Sequence, residues 1–383
     1  MRYLTIMAAL GLTSVSASLG AQSEPEKAAA KPNAVHQRVT MKEDGSIDVA
    51  PFTMPFSVYA STAAKEDIRW KLDQYDALAP GRTSTDIKVR RANADKILFT
   101  PWLEAQRKAY PGVKMENSKI AGVEVQVFTP ADGISEANRN RVLINLHGGA
   151  FMIGWGLASQ IESIPIAATG KIKVISVNYR MFPEARFPAA SEDIERVYRA
   201  LLQTYQPSQI GIYGCSAGGV LTGQASAWFS EKKLPQPAAI SIQSGSIAGF
   251  AGDSLYTTGR IGGILPPPPP GKDLAAALKV GYFEGAKPDD PLVTPTLSQD
   301  LLAKFPPTLF ITGTRAVDMS GTTASHLALT RAGADSRMYL WDGLDHCFTY
   351  NPALPESAEA YAMTIRFFEE IMGGTMATRP QDE

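Results

Sequence analysis

Short apolar runs alternate with longer stretches of helical apolar spacing along most of this chain. The alternation begins after Gly122, where Val123, Val125 and Val127 are separated by polar residues, as in a half-buried strand. Further runs predict strands at Val142–Leu146, Ile172–Val177, Ile210–Tyr213, Ala239–Ile242, Leu309–Ile311 and Met338–Trp341. Helical stretches are predicted between most of them, at about 157–169, 188–205, 217–231, 321–332 and 355–372. This order favours a mostly parallel α/β sheet with helices on both faces.

The first 21 residues resemble a secretory signal peptide. Arg2 precedes an apolar stretch, Leu4–Leu12, and small residues with possible cleavage sites at Ala17 and Ala21 follow. A membrane anchor is the alternative, but the run is short and interrupted by serines. We therefore expect an exported protein, periplasmic or secreted, without stable membrane insertion.

Composition narrows the class of protein. The chain has 383 residues, of which 44% are hydrophobic and 20% charged, which excludes a disordered chain. A net charge of −1 gives no basic field for nucleic acid. Two cysteines cannot form a disulfide scaffold or a multi-cysteine zinc site. A Walker loop, an HExxH motif and a Cys/His cluster are also absent from the sequence, so neither a cofactor nor a metal is expected.

The strongest chemical signal is Gly214-Cys-Ser-Ala-Gly218, which follows an apolar strand and opens a helix. In that context G-x-S-x-G is typical of a nucleophile elbow, a sharp turn that projects the serine hydroxyl from the sheet. We expect Ser216 to be the nucleophile, with glycines where side chains would collide with the neighbouring strand and helix.

A second signal, His147-Gly-Gly-Ala-Phe151, directly follows the strand Val142–Leu146. Hydrolysis of an acyl group requires donors aimed at the developing oxyanion. We expect the backbone N–H groups of Gly148, Gly149 and Ala217 to supply them, and His147 to shape the loop rather than act as the base.

The base and the acid should follow the serine in the chain, the acid first. His346 comes after the last predicted strand, whereas the other histidines lie in the N-terminal segment, the oxyanion loop and a helix. Asp318, in the loop after Leu309–Thr312, is the expected acid. Asp342 and Asp345 remain alternatives, although a residue adjacent to the histidine in an extended loop points its side chain away.

Together these motifs resemble the hormone-sensitive-lipase-like family of α/β hydrolases, the bacterial type IV esterases. The resemblance extends over about 123–372. It rests on His147–Phe151, Asn178–Ala189, Gly214–Gly219, Asp290–Leu292 and Asp345–Phe348. It implies an eight-stranded sheet, a cap over the active site, and hydrolysis of carboxylic esters without a cofactor. Two positions depart from the family pattern: Cys215 replaces the usual Asp, and Ala316 stands where the acid is usually found.

The sequence patterns and the resemblance together predict a division into three parts. Residues 1–21 would be the signal peptide, 22–105 a lead-in with N-terminal cap helices, and 106–383 the catalytic domain. An insertion at about 244–285 would add to the cap. It contains five prolines, Pro266–Pro270, which exclude a helix interior and for which a spacer is favoured over a polyproline recognition motif.

The predicted function is that of an exported serine carboxylesterase acting on a small-molecule ester. Phe151 and Trp155 are expected to wall a pocket for an apolar ester of modest size. An amidase or peptidase, a lipase, or a non-catalytic small-molecule-binding homologue are the alternatives. The oligomeric state is not predicted. Cys215 and Cys347 are expected to be buried free thiols, with a disulfide as the less favoured possibility.

Overall fold

A computed structural model describes residues 39–50, 52–249, 251–257, 281–287 and 289–373. The expected signal peptide and the proline run Pro266–Pro270 lie outside the described residues. The chain divides into two compact units, Met1–Pro55 and Phe56–Glu383. In the first unit, β1 (Val39–Met41) and β2 (Ile47–Val49) form an antiparallel hairpin.

An eight-stranded sheet forms the centre of the second unit, in the order β10-β9-β8-β7-β5-β6-β4-β3. Strands β5 to β10 run parallel, and β3 and β4 pair antiparallel at one edge. The strands are β3 (Val113–Ile120), β4 (Val123–Pro130), β5 (Val142–Leu146), β6 (Lys173–Val177), β7 (Ile210–Cys215), β8 (Ala239–Gln243), β9 (Thr308–Gly313) and β10 (Ser336–Trp341). The predicted α/β fold and strand count are confirmed. Strand β3 gave no sequence signal because this edge strand is mostly polar and exposed.

Helices pack on both faces of the sheet. The helices are α1 (Thr62–Asp73), α2 (Ala79–Thr83), α3 (Ile87–Ala94), α4 (Thr100–Ala109), α5 (Ala158–Gly170), α6 (Ala189–Leu201), α7 (Ala217–Glu231), α8 (Asp253–Tyr256), α9 (Gln299–Leu302), α10 (Met319–Arg331) and α11 (Pro355–Met372), with a π-helical turn at Asp95–Phe99. Within the described residues, none of the helices has the length and apolar character needed to cross a membrane.

Successive side chains of a central strand point to opposite faces of the sheet and so pack in two separate hydrophobic cores. Leu143 of β5 packs in one core with α4, α5 and α11, whereas its neighbours Val142 and Ile144 pack in the other with α6 and α7. Burial on both faces explains why the central strands are continuous apolar runs. The loops that follow β5, β7, β9 and β10 therefore leave the sheet at one edge, which brings the candidate site residues together.

Candidate active site

The nucleophile elbow, residues 214–218, joins β7 to α7. Ser216 has φ 57° and ψ −121°, a conformation that a non-glycine residue rarely adopts. A Cβ atom added to Gly214 would lie 2.2 Å from the backbone oxygen of Leu146, and one added to Gly218 would lie 1.7 Å from it. The glycines thus permit close contact with β5, which holds the turn that exposes the serine.

Ser216, His346 and Asp318 form a continuous hydrogen-bonded chain. His346 Nε2 lies 2.9 Å from Ser216 Oγ, and His346 Nδ1 lies 2.6 Å from Asp318 Oδ1. An ionised carboxylate accepts only, so Nδ1 carries the proton and Nε2 is left to accept from the serine hydroxyl. This is the arrangement of a nucleophile, a base and an orienting acid.

Asp318 is completely buried at the start of α10. Its second oxygen accepts hydrogen bonds from the hydroxyls of Thr312, at 2.6 Å, and Thr322, at 3.1 Å. Thr312 is the next-to-last residue of β9, and Thr322 lies one helical turn beyond Asp318. These contacts orient the Asp318 carboxylate, although Asp318 lies two residues beyond Ala316, the position where the family usually has its acid.

The two alternative acids bind elsewhere. Asp345 accepts from Lys71 Nζ at 2.7 Å, and Asp342 accepts from the hydroxyls of Ser57 and Thr314. Neither carboxylate hydrogen-bonds His346 in the described residues. Asp318 alone of the three has the geometry of the acid.

The histidine loop, residues 342–350, is connected to the elbow by a disulfide. Cys215 and Cys347 are bonded, with their Cα atoms 6.5 Å apart. The expectation of two free thiols is therefore wrong: β7 and the histidine loop bring these two residues within bridging distance. The Cys347 N–H also donates to Ser244 Oγ at 2.9 Å. The two cysteines are 132 residues apart in the sequence, so the sequence alone did not show that they lie close together.

A buried lysine also contacts the histidine loop. Lys71 of α1 is 1% exposed, and its Nζ lies 2.7 Å from both Asp67 and Asp345. Burial opposes its charge, but attraction to these two carboxylates prevails and raises the pKa of Lys71. The sequence gave no signal for this contact, because Lys71 follows an ordinary helical charge pattern.

The oxyanion loop, residues 148–151, has an unusual backbone. Gly149, Ala150 and Phe151 all have positive φ, of 122°, 52° and 60°. A Cβ atom on Gly149 would lie 2.1 Å from the backbone oxygen of Ile153. Two successive non-glycine residues in the left-handed region indicate a loop whose shape the surrounding structure imposes.

One of the expected oxyanion donors has a different partner. The Gly148 N–H donates to Glu162 Oε1 at 2.7 Å, so the prediction that it faces the substrate is wrong. By contrast, the N–H groups of Gly149, Ala150 and Ala217 have no acceptor in the described part of the chain. Ala150 thus replaces Gly148 as a candidate donor. Sequence reasoning missed it because it looked for residues without a Cβ, whereas the φ of Ala150 itself allows the approach.

His147 lies beneath the oxyanion loop and is completely buried. Its Nδ1–H donates to the Gly148 carbonyl oxygen at 2.7 Å, and its ring stacks on Tyr179 with centroids 4.5 Å apart. Burial lowers the pKa of His147 to about 4. The imidazole is neutral at pH 7 and has no contact with the serine, as expected of a residue that shapes the loop.

The two expected pocket residues lie in different surroundings. Phe151 is buried and stacks on Tyr282, with Phe283 packed at its edge. Trp155 lines a cavity of about 350 Å³ whose wall also includes Arg91 and Arg180. Their contact with substrate remains a prediction. Among the described residues, no cluster of three or more His, Cys, Asp or Glu side chains is arranged to hold a metal.

Comparison with known proteins agrees with this geometry. Residues 143–350, more than half of the chain, match a protein family described by the alpha/beta hydrolase fold. An acetyl-hydrolase of Streptomyces hygroscopicus is 29% identical over 61% of this chain and 77% of its own length. An esterase of Acinetobacter venetianus is 25% identical over 67% of this chain and 82% of its own length.

Solved structures show the same similarity. The crystal structure of an esterase named E25 covers 85% of this chain and 99% of its own, with a TM-score of 0.72 and 28% identity. An esterase from the bacterial hormone-sensitive lipase family superposes with a TM-score of 0.67. It covers 82% of this chain and 100% of its own, and at 24% identity it supports the fold alone.

Proposed function

Because this chain belongs to the hormone-sensitive-lipase-like family of α/β hydrolases and is a carboxylic ester hydrolase, we propose that it hydrolyses esters through an acyl-enzyme on Ser216. The observation that carries the proposal is the hydrogen-bonded chain from Ser216 through His346 to Asp318. It joins a hydroxyl, a basic nitrogen and a buried carboxylate in the order that nucleophilic catalysis requires.

In the first half-reaction Ser216 Oγ bonds to the ester carbonyl carbon while its proton passes to His346 Nε2. Asp318 accepts the Nδ1–H bond and stabilises the imidazolium that forms. The C–O bond to the alcohol then breaks, and the alcohol leaves with the proton from Nε2. Water then gives a proton to Nε2 while its oxygen bonds to the acyl carbon. The bond from that carbon to Ser216 Oγ breaks, Oγ takes the proton back from Nε2, and the carboxylic acid leaves.

The tetrahedral intermediate needs donors that are already oriented. The N–H groups of Gly149, Ala150 and Ala217 are suited to this task because no protein acceptor in the described residues occupies them. Ala217 directly follows the nucleophile, and the other two lie on the loop after the adjacent strand, β5. The oxyanion would therefore be bound between the two loops.

The substrate we propose is an apolar ester of modest size. The aromatic group of Phe151, Tyr282 and Phe283 offers apolar surface beside the oxyanion loop. The name of one relative, an acetyl-hydrolase, agrees with a short acyl group. Amide cleavage and lipase activity remain the competing assignments for the same triad.

A series of p-nitrophenyl esters from acetate to dodecanoate tests the proposal directly. We expect the highest kcat/KM for short acyl chains and much slower release from p-nitroacetanilide. Ser216→Ala should abolish turnover and labelling by a fluorophosphonate, while the exposed Ser118→Ala should change neither. Full esterase activity in Ser216→Ala would overturn the assignment of the nucleophile, and faster cleavage of the anilide would favour an amidase.

Export is a further part of the proposal. It is supported by the N-terminal pattern of Arg2, the apolar stretch and the small residues up to Ala21. The Cys215–Cys347 disulfide also fits an oxidising compartment. N-terminal sequencing of protein from the periplasm or medium should begin near Gln22. An active cytoplasmic protein that retains Met1 would contradict export.

A further inference from the structure

Glu162 is a buried carboxylate with no role in the reaction steps above. It lies on α5, the helix that follows the oxyanion loop, and is 6% exposed. It forms no ion pair with any Lys, Arg or His in the described chain. A buried, unpaired carboxylate is costly unless hydrogen bonds satisfy it, so its contacts show what it holds in place.

Its two oxygens bind groups from the oxyanion loop, the nucleophile elbow, the histidine loop and β5. Oε1 accepts from the Gly148 N–H at 2.7 Å and from the Tyr350 hydroxyl at 2.5 Å. Oε2 accepts from Asn145 Nδ2 at 2.8 Å and from the Cys215 N–H at 3.3 Å. One carboxylate thus joins the first residue of the oxyanion loop to the residue before the nucleophile.

All four partners donate, which matches the ionised carboxylate. Burial raises the pKa of Glu162 to about 7, while hydrogen bonds from Tyr350, Asn145, Gly148 and Cys215 favour the charged form.

The titratable groups that face Glu162 are buried phenols, and burial raises the pKa of each of them. They are Tyr179, Tyr213, Tyr350 and Tyr361. They stay neutral in the range where Glu162 titrates.

We propose that Glu162 is a positioning residue whose carboxylate sets the spacing between the oxyanion loop and the nucleophile elbow. The inference rests on the proposed serine mechanism. Gly148 precedes the donors Gly149 and Ala150, and Cys215 is two residues before the donor Ala217. Because Gly148 and Cys215 are bound to the same carboxylate, the gap in which the oxyanion forms has a fixed width. Glu162 itself does not contact the substrate.

Replacement by glutamine removes this connection with little change of shape. Glutamine offers one acceptor oxygen, so either the Gly148 and Tyr350 donors or the Asn145 and Cys215 donors meet an NH₂ group instead. One loop must then move. Since misplacement by about 1 Å can cost about 10²-fold in rate, we expect Glu162→Gln to lower kcat roughly 10–100-fold. KM should change little, because the donors act mainly on the transition state.

The experiment measures kcat and KM on p-nitrophenyl acetate together with inhibition by a trifluoromethyl ketone. Ser216 Oγ bonds to the carbonyl carbon of the ketone and its proton passes to His346 Nε2, which leaves a tetrahedral oxyanion. The Ki should therefore rise by the same factor as kcat falls. Tyr350→Phe, which removes one donor and keeps the carboxylate, should have a smaller effect in the same direction.

Glu356→Gln is the matched control. Glu356 is 8% exposed and accepts hydrogen bonds from the Ser61 N–H and hydroxyl, away from both loops. Its replacement by glutamine should leave kcat and Ki unchanged, even where it lowers the unfolding temperature. A positioning role is thereby separated from a general loss of stability.

The pH dependence gives a second readout. Below its pKa of about 7 Glu162 carries a proton on one oxygen and resembles glutamine. The ratio of wild-type to Glu162→Gln kcat should therefore be largest above pH 8 and approach 1 below pH 6. Taking the ratio removes any pH dependence that the two proteins share.

Unchanged kcat and Ki in a folded Glu162→Gln protein, or a kcat ratio independent of pH, would overturn the proposal. If that variant does not fold, unchanged kinetics in Tyr350→Phe across the pH range overturn it equally. Failure of the serine mechanism is recognised separately, since Ser216→Ala would then remain active. Loss of activity in Ser216→Ala with normal Glu162→Gln kinetics rejects only the positioning role.

Discussion

The nucleophile elbow and the histidine loop meet at the hydrogen bond between Ser216 and His346 and at the Cys215–Cys347 disulfide, but they are fixed in different ways. The elbow is a short connection between β7 and α7, and backbone contacts at Gly214 and Gly218 determine its shape. The histidine loop depends on side chains that are distant in sequence: Lys71, Cys215, Ser244 and Asp318. An atom added at Gly214 or Gly218 would overlap backbone that cannot move away. The histidine loop, by contrast, can lose one of its side-chain contacts and keep the others.

Gly218→Ala should have the largest effect. The added Cβ would lie 1.7 Å from the backbone oxygen of Leu146, and a strand in the sheet centre cannot move to relieve that contact. We expect little or no folded protein in a soluble-expression and thermal-unfolding assay. Gly112→Ala is the control, since its Cβ would meet nothing within 4 Å. A folded, active Gly218→Ala protein would show that the elbow is not fixed by its backbone.

Asp318→Asn should come next, and it changes catalysis more than folding. The amide keeps the shape but removes the charge that orients and stabilises the His346 imidazolium, so kcat should fall roughly 10²–10⁴-fold. Asp342→Asn should stay within a few-fold of wild type, because that carboxylate binds Ser57 and Thr314. Near-normal kcat in Asp318→Asn, with a collapse in a folded Asp342→Asn or Asp345→Asn protein, would move the acid beside the histidine.

The contrast also explains how much the sequence could predict. The elbow could be predicted because local spacing of glycine around serine, between a strand and a helix, carries its geometry. His346 followed from chain order and elimination. Asp318 followed from chain order, but the hydroxyls of Thr312 and Thr322 that orient it left no recognisable pattern.

Long-range contacts account for what sequence reasoning missed. The Cys215–Cys347 bond spans 132 residues and Lys71 reaches Asp345 across 274, distances at which spacing carries no information. The error over Gly148 has a different origin. Its N–H has the right place in the motif, but a carboxylate on the next helix, Glu162, already accepts it.

Lys71→Met tests the contact of the histidine loop with α1. The change leaves Asp67 and Asp345 buried without their cation, so urea unfolding should show a loss of about 3–5 kcal/mol. We expect a smaller fall in kcat than in Asp318→Asn, because the hydrogen bond from His346 to Asp318 remains. Lys65→Met, an exposed change on the same helix, should be nearly neutral. Equal stability of the two variants would show that α1 does not hold the loop.

Removal of the disulfide should have the smallest effect of the four, because it breaks the one covalent link between the two regions and leaves their other contacts intact. In Cys215→Ala/Cys347→Ala the loop keeps the Lys71–Asp345 pair, the Cys347 N–H bond to Ser244 and the hydrogen bond to Asp318. Native disulfides typically contribute about 2–4 kcal/mol, and closure of a long segment lies toward the upper end of that range. We therefore expect a loss of this size in the free energy of unfolding measured with urea, with kcat reduced only a few-fold at temperatures well below unfolding.

Thiol titration of the denatured, unreduced wild-type protein tests whether the bridge exists. It should find no free thiol among the described cysteines, and two free thiols would contradict the bridge. A fall in kcat as large as that of Asp318→Asn, in a double variant that remains folded, would show that the disulfide, rather than the surrounding side chains, aligns His346 with Ser216.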